Sequence, residues 1–357
     1  MKRAFRIGRE TFDLPAVALT YLAGTAGGLV AKALHLPLPM LIGSLVTVAA
    51  LAILGLRPFG QAVQAPQALR MVFVPIIGVA IGAAFRPGLQ AEAAVWWPTL
   101  LAVVVFVPIV HVLGYRAVRA VGRVDPVTAW FGTAPGGLIE AVELGEQAGA
   151  EVRMLTMLQF LRLIVVIVMV PLAFSIMAGR ALGSAAGASL GAAGSLGAGD
   201  VAILVAAAVV GAVAGRRLRL PAGHVTGPIL LSGAAHMAGW TETVPPFWLI
   251  AMAQVVIGTS LGVRFAGMPR GQFRQALGLA SLNVAITLTV AAGIAVALHG
   301  AVGEPMAAVF LAFSPGGLVE MGLVALSLNM SPVYVTAHHV LRIVLAVTVA
   351  RIGAGRV

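Results

Sequence analysis

From residue 15 to residue 350 the chain passes through one long apolar segment after another, and the breaks between them are short. In the first half these segments cover residues 15–34, 38–56, 71–85, 96–115, 126–144 and 153–178. In the second half they cover 201–215, 224–241, 246–263, 276–298, 305–328 and 333–350. A helix that crosses the hydrocarbon core of a bilayer needs about 20 mostly apolar residues, so the pattern predicts an all-α polytopic membrane protein. Only 10% of the residues are charged and 60% are hydrophobic. A soluble domain carries about 25% charged residues, so a soluble enzyme, a DNA-binding domain and a disordered chain are all set aside. With no cysteine, disulfides, thiol chemistry and cysteine-based metal sites are also excluded.

The two halves repeat one another. Pro135, Gly136, Gly137, Leu138 and Glu140 recur as Pro315, Gly316, Gly317, Leu318 and Glu320, an offset of 180 (135 to 315). At the same offset Gly78 and Gly82 match Gly258 and Gly262, Phe85 matches Phe265, and Arg162 matches Arg342. With a small gap, Leu36, Pro37 and Pro39 correspond to Leu220, Pro221 and Pro228. The reading is a first membrane repeat over 1–182, a Gly/Ala/Ser linker over 183–199, and a second membrane repeat over 200–357.

Charge placement sets the expected number of crossings. The net charge is +11, and Lys and Arg concentrate in cytoplasmic loops of membrane proteins. Suppose 126–144 and 305–328 dip into the bilayer and return. Then the basic N-terminus, Arg57, Arg70, Arg116, Arg119, Arg123, Arg216, Arg217, Arg219, Arg264, Arg270, Arg274 and Arg351 all fall on one side. Five crossings per half make about ten in all, and an odd number per half makes the two copies inverted. The alternative is twelve full crossings. The expected location is a bacterial inner membrane with both termini cytoplasmic.

The Pro-Gly-Gly tripeptides predict helix breaks. Proline removes a backbone donor, and glycine lowers the cost of leaving the helix. Unwound backbone at membrane depth is tolerated only where protein buries it or it lines a polar cavity. Arg162 and Arg342 sit about 13 Å into their apolar segments, where a charge needs a partner. The equal spacings Glu140 to Arg162 and Glu320 to Arg342 suggest an ion pair in each repeat. Gln159 and His339 lie three residues before their arginines, on the same helical face. The candidate solute or coupling residues are therefore Arg162, Arg342, Glu140, Glu320, Gln159 and His339. The backbone of Pro135, Gly136, Gly137, Pro315, Gly316 and Gly317 forms the breaks. His111, His236, Asn283 and Glu242 are secondary candidates. No catalytic constellation, cofactor motif or metal-ligand spacing is present; the adjacent His338 and His339 do not project as an i, i+4 metal pair.

Several stretches resemble the AbrB-type duplicated bacterial membrane protein family: residues 36–43 (LPLPMLIG), 135–140 (PGGLIE), 312–321 (AFSPGGLVEM) and 335–342 (VTAHHVLR). The resemblance runs from about residue 15 to 350. Members of that family carry the labels regulator of gene expression and ammonia monooxygenase. The regulator label is also the name of a soluble DNA-binding protein, but no matching soluble domain is visible here, so direct nucleic-acid binding is not expected.

The expected function is a secondary transporter or permease for a small solute, with an organic anion preferred, working by alternating access. The alternatives are a membrane-embedded sensor or regulator acting indirectly on gene expression and, last, a membrane enzyme. The expected partners are the lipid bilayer, a small anionic solute with a coupling ion, and a second copy of the chain.

Overall fold

The computed structural model describes residues 4–7, 10–57, 60–177 and 197–355. The fold is all-α apart from one short ribbon, in which Ala4–Ile7 (β1) pairs antiparallel with Glu10–Asp13 (β2). That ribbon amends the all-α expectation. Thr11 and Phe12 are residue types that favour strands. Asp13 N–H then donates to Gln64 Oε1 at 3.0 Å, fixing the end of the ribbon to the chain ahead of the third helix.

Fifteen helices follow among the described residues: α1 Leu14–Ala33, α2 Pro39–Leu54, α3 Gln67–Gly82, α4 Leu89–Ala93, α5 Trp97–Gly122, α6 Pro126–Thr133, α7 Leu138–Gln147, α8 Val152–Met177, α9 Ala198–Arg217, α10 Gly223–Met237, α11 Phe247–Gly262, α12 Arg270–Val302, α13 Met306–Phe313, α14 Leu318–Ser327 and α15 Pro332–Ala354. Among the described residues seven spans are long and apolar enough to cross a membrane: α1, α5, α8, α9, α12, α15, and α11 with its one-turn extension to Phe265. The protein is therefore a polytopic helical membrane protein. Its lipid-compatible surface is visible in exposed Leu22, Leu29, Leu101, Val105, Val205, Val209 and Val296.

Helix boundaries recur at the offset read from the sequence: Gln67 and Phe247 begin α3 and α11, Leu138 and Leu318 begin α7 and α14, and Val152 and Pro332 begin α8 and α15. The apolar segment 71–85 forms a helix of only 16 residues, α3, which begins at Gln67 and ends at Gly82. The segment 201–215 is extended: α9 runs for 20 residues because Asp200 lies in its first turn and Arg216 and Arg217 still fit its last. A carboxylate near the positive end and arginines near the negative end of the helix dipole both favour the longer helix. Most of the linker, residues 183–196, lies outside the described residues.

Two compact units form, and each draws on both halves of the sequence. The first holds α1–α3, α9–α11 and the end of α8. Within it α1 packs on α2 and α9 on α10, while α2 packs on α11 and α3 on α10. Small residues make these contacts close. A β-carbon on Gly211 of α9 would stand 2.7 Å from both Cα and N of Pro228 in α10. The obstruction is backbone, which cannot rotate away. Gly211→Val is expected to lower stability by about 1–3 kcal/mol, the usual cost of overpacking, read as a lower thermal midpoint in detergent. Gly278→Ala, where nothing lies within 4 Å, is its control.

The second unit holds α4–α7, most of α8, α12, α13, most of α14 and α15. Its frame is α5 packed on α12 and α15, with α13 against α12 and α15. Both broken segments belong to this unit.

Candidate functional site

In the first broken segment Asp125 begins α6, its Oδ1 accepting from Thr128 N–H at 2.9 Å. Asp125→Ala is expected to lower stability by about 1 kcal/mol through loss of that cap, measured by thermal unfolding. α6 stops at Thr133 because Pro135 and two glycines follow, and Gly137 takes a left-handed conformation (φ 63°, ψ 58°) as α7 restarts. α7 then folds back beside α6. Glu151 N–H donates to Thr128 Oγ1 at 2.7 Å, and a β-carbon on Gly145 would stand 3.1 Å from Phe131 Cβ. The chain after α7 therefore returns beside the start of α6. The second broken segment has the same parts: α13 ends at Phe313, Ser314–Gly317 are unwound, and α14 begins at Leu318.

Unwinding frees carbonyl oxygens, and the two arginines take them. Arg162 donates through Nη1 to the Ala134 carbonyl. Arg342 donates through Nη1 to the Ser314 carbonyl and through Nη2 to the Gly316 carbonyl, the latter at 2.6 Å. The residues three positions earlier repeat the plan. Gln159 Nε2 donates to Phe131 O at 2.6 Å, and His339 Nε2 meets Leu311 O at 3.2 Å. Each pair grips the end of the short helix preceding its own break. The sequence suggested carboxylate partners for the two arginines; the hydrogen bonds they make here run to backbone carbonyls. Each carboxylate lies instead at the first turn of the restarting helix, close to Gly137 or Gly317. A carboxylate there offsets the positive end of the helix dipole. Glu320 is buried and Glu140 is half-buried.

Each break packs against the helix that carries the other break's arginine. A β-carbon on Gly136 would stand 3.3 Å from Ile343 Cα and 3.4 Å from the Arg342 carbonyl oxygen, so the first break lies on the backbone of α15. One on Gly317 would stand 3.1 Å from Leu163 Cδ1 of α8. Each break is thus held by one arginine helix and packed on the other, and the two guanidiniums feel one another electrostatically. Among the described residues the buried full charges are Arg162, Arg342 and Glu320, two positive against one negative.

The secondary candidates divide. His111, on α5, joins the centre: its Nε2 meets Trp130 O at 2.8 Å, its ring stacks on Trp130, and Arg162 is within electrostatic reach. Trp130 in turn donates from Nε1 to the Ala350 carbonyl at 2.9 Å, tying α6 to α15. Asn283 is buried on α12 facing Gly114 of α5. His236 belongs to the other unit, bound to the Ser232 and Thr243 carbonyls, and Glu242 is exposed. Glu143, Glu146 and Glu151 are exposed as well.

His338 was weighed from the sequence only beside His339, and Trp130 and Gln254 were not singled out at all. His338 is held between the Tyr334 carbonyl at 2.8 Å and Thr99 Oγ1 at 2.9 Å. Trp130 reads as an ordinary apolar residue. Gln254 of α11 is fully buried in the first unit with neither amide atom hydrogen-bonded; a lone glutamine in an apolar run was the available signal. No group of three or more His, Cys, Asp or Glu able to hold a metal occurs among the described residues.

Fold and site together define a class: polytopic helical membrane proteins with two interrupted segments, each held through backbone carbonyls by a buried arginine. Residues 52–356 match the family described as transition state regulatory protein AbrB, and the chain belongs to that family. It is 27% identical over 313 residues to the "Putative regulator AbrB" of Escherichia coli (strain K12), covering 87% of each chain. It is 23% identical over 289 residues to the "Uncharacterized protein YhjN" of Bacillus subtilis (strain 168), covering 76% of this chain and 74% of the relative.

Proposed function

We propose that this protein is a secondary transporter of the inner membrane that carries a small organic anion through the crossing of its two broken segments. The observation that carries this reading is the pair of unwound segments, each held through backbone carbonyls by a buried arginine. Interrupted helices in duplicated, inverted halves are a recurring plan for binding solutes at the midplane of transporters. The excess of buried positive charge favours an anion, and Glu320 is the group placed to compete with it.

In the proposed topology each half crosses five times, and the short helices α2, α3 and α10 complete the count of about ten. The return of α7 beside α6 supports a first segment that enters and leaves on the cytoplasmic side. An odd count then puts the second segment on the outer side and leaves both termini cytoplasmic, in keeping with the positive-inside distribution of arginines.

A second reading has a specific observation behind it. The family description and the name of the Escherichia coli relative both say regulator. They favour a membrane-embedded regulator that changes gene expression indirectly, with the same centre sensing a solute instead of moving it. Reconstitution separates the two. Purified protein in proteoliposomes, loaded with a panel of radiolabelled organic acids, is expected to give saturable, protein-dependent uptake. Binding without flux across the panel would overturn transport and leave the regulator.

A further inference from the structure

Beside the two breaks, Nε of Arg162, Nε of Arg342, Oε1 of Gln159, Nδ1 of His339 and Nδ1 of His111 have no hydrogen-bond partner. All five residues are at most 4% exposed. Buried polar atoms are nearly always satisfied, so a cluster of unsatisfied ones calls for an occupant. Their chemistry falls into two kinds. An arginine Nε–H can only donate. Gln159 commits an amide N–H to Phe131 O, and its free Oε1 can only accept. His339 and His111 each face a carbonyl through Nε2, and a carbonyl only accepts, so Nε2 carries the proton. Nδ1 is then a lone pair, an acceptor. Residues three apart share a helical face, so α8 and α15 each present one orphaned donor beside one orphaned acceptor.

We propose that the crossing binds a small carboxylate that carries its own N–H or O–H donor, such as a 2-hydroxy or 2-amino acid. The carboxylate receives hydrogen bonds from the arginine Nε–H groups, and the second group donates to Gln159 Oε1 or His339 Nδ1. A plain anion satisfies only the arginines and leaves the acceptors orphaned. A site built to pair a substrate hydroxyl or amine discriminates strongly against the analogue lacking it. The excess positive charge disfavours a simple amine. This inference rests on the solute site proposed above and specifies its ligand.

The test is calorimetric titration of the purified full-length protein in detergent with matched probes: acetate against glycolate and glycine, succinate against malate, and sulfate. At least one probe bearing a donor is expected to bind at least about tenfold more tightly than its partner without one. The preference is expected to collapse in His339→Leu and to survive in His339→Gln, which keeps one donor and one acceptor as Gln159 does. Equal affinities within each pair, sulfate binding as tightly as any acid, or no binding at all would overturn the inference, and the wild-type comparison stands even if a variant fails to fold. Proteoliposome flux is read separately. A discriminating site without flux sinks only the transport reading, while flux confined to acids lacking a donor sinks only this inference.

Discussion

Replacing Arg342 with alanine is expected to abolish solute binding and to destabilise the protein more than the equivalent change at Arg162. Arg342 donates to two carbonyls of the unwound segment, Ser314 and Gly316, whereas Arg162 donates to one, Ala134. Without Arg342 the Ser314 carbonyl keeps the Gly316 N–H at 2.9 Å but the Gly316 carbonyl loses its arginine donor, whereas without Arg162 the Ala134 carbonyl keeps Gln159 Nε2 at 3.4 Å; a carbonyl left without a donor costs about 1–3 kcal/mol, and in a membrane protein no nearby bulk water softens the loss. Arg342→Lys should rescue little, because an ammonium on a flexible stem does not reproduce a planar fork spanning two oxygens. Thermal unfolding in detergent checks the ranking, and titration with the probe acids checks binding. An Arg342→Ala protein with wild-type stability and affinity would remove the arginine from the account.

Gly136→Leu is expected to have the next largest effect. Its β-carbon alone would stand 3.3 Å from both Ala346 Cβ and Ile343 Cα, tighter than ordinary van der Waals contact, and the rest of the side chain would meet the backbone of α15. The first break would have to lift from the helix bearing Arg342. Overpacking costs about 1–3 kcal/mol, but the crossing is where solute is proposed to bind, so affinity should fall by at least about tenfold even where the protein still folds. Gly136→Ala is the graded control, with a partial effect on the same two measurements. Normal binding by the leucine variant would mean that the breaks can separate without consequence.

Much of this centre was legible in the residues. The tripeptides at Pro135 and Pro315 announced two helix breaks, and the common offset of Arg162 and Arg342 announced that each break had a buried arginine. What the arginines hold was not legible. Equal spacing to Glu140 and Glu320 pointed to carboxylates, but the acceptors are carbonyls of Ala134, Ser314 and Gly316. Every residue has such an oxygen, and only the local unwinding makes these ones available. The interleaved units were hidden for a related reason. Hydropathy marks which segments are apolar, but the pairing of α3 with α10 and of α2 with α11 depends on surface shape. The small residues that set that shape, such as Gly211 against Pro228, look like any others in a chain with 43 glycines. The terminal ribbon was missed because its strands are four residues each, too short for periodicity to stand out.

The central proposal is that the two broken segments enter the bilayer from opposite sides. The chain has no cysteine, so single cysteines can be introduced on a clean background. Ala148→Cys and Asn329→Cys lie at exposed positions just beyond α7 and α14. With a membrane-impermeant thiol reagent, Asn329→Cys should label in intact spheroplasts, whereas Ala148→Cys should label only after the cytoplasmic face is opened. Labelling of both from the same face would contradict the inverted arrangement and, with it, the crossing as a solute pathway.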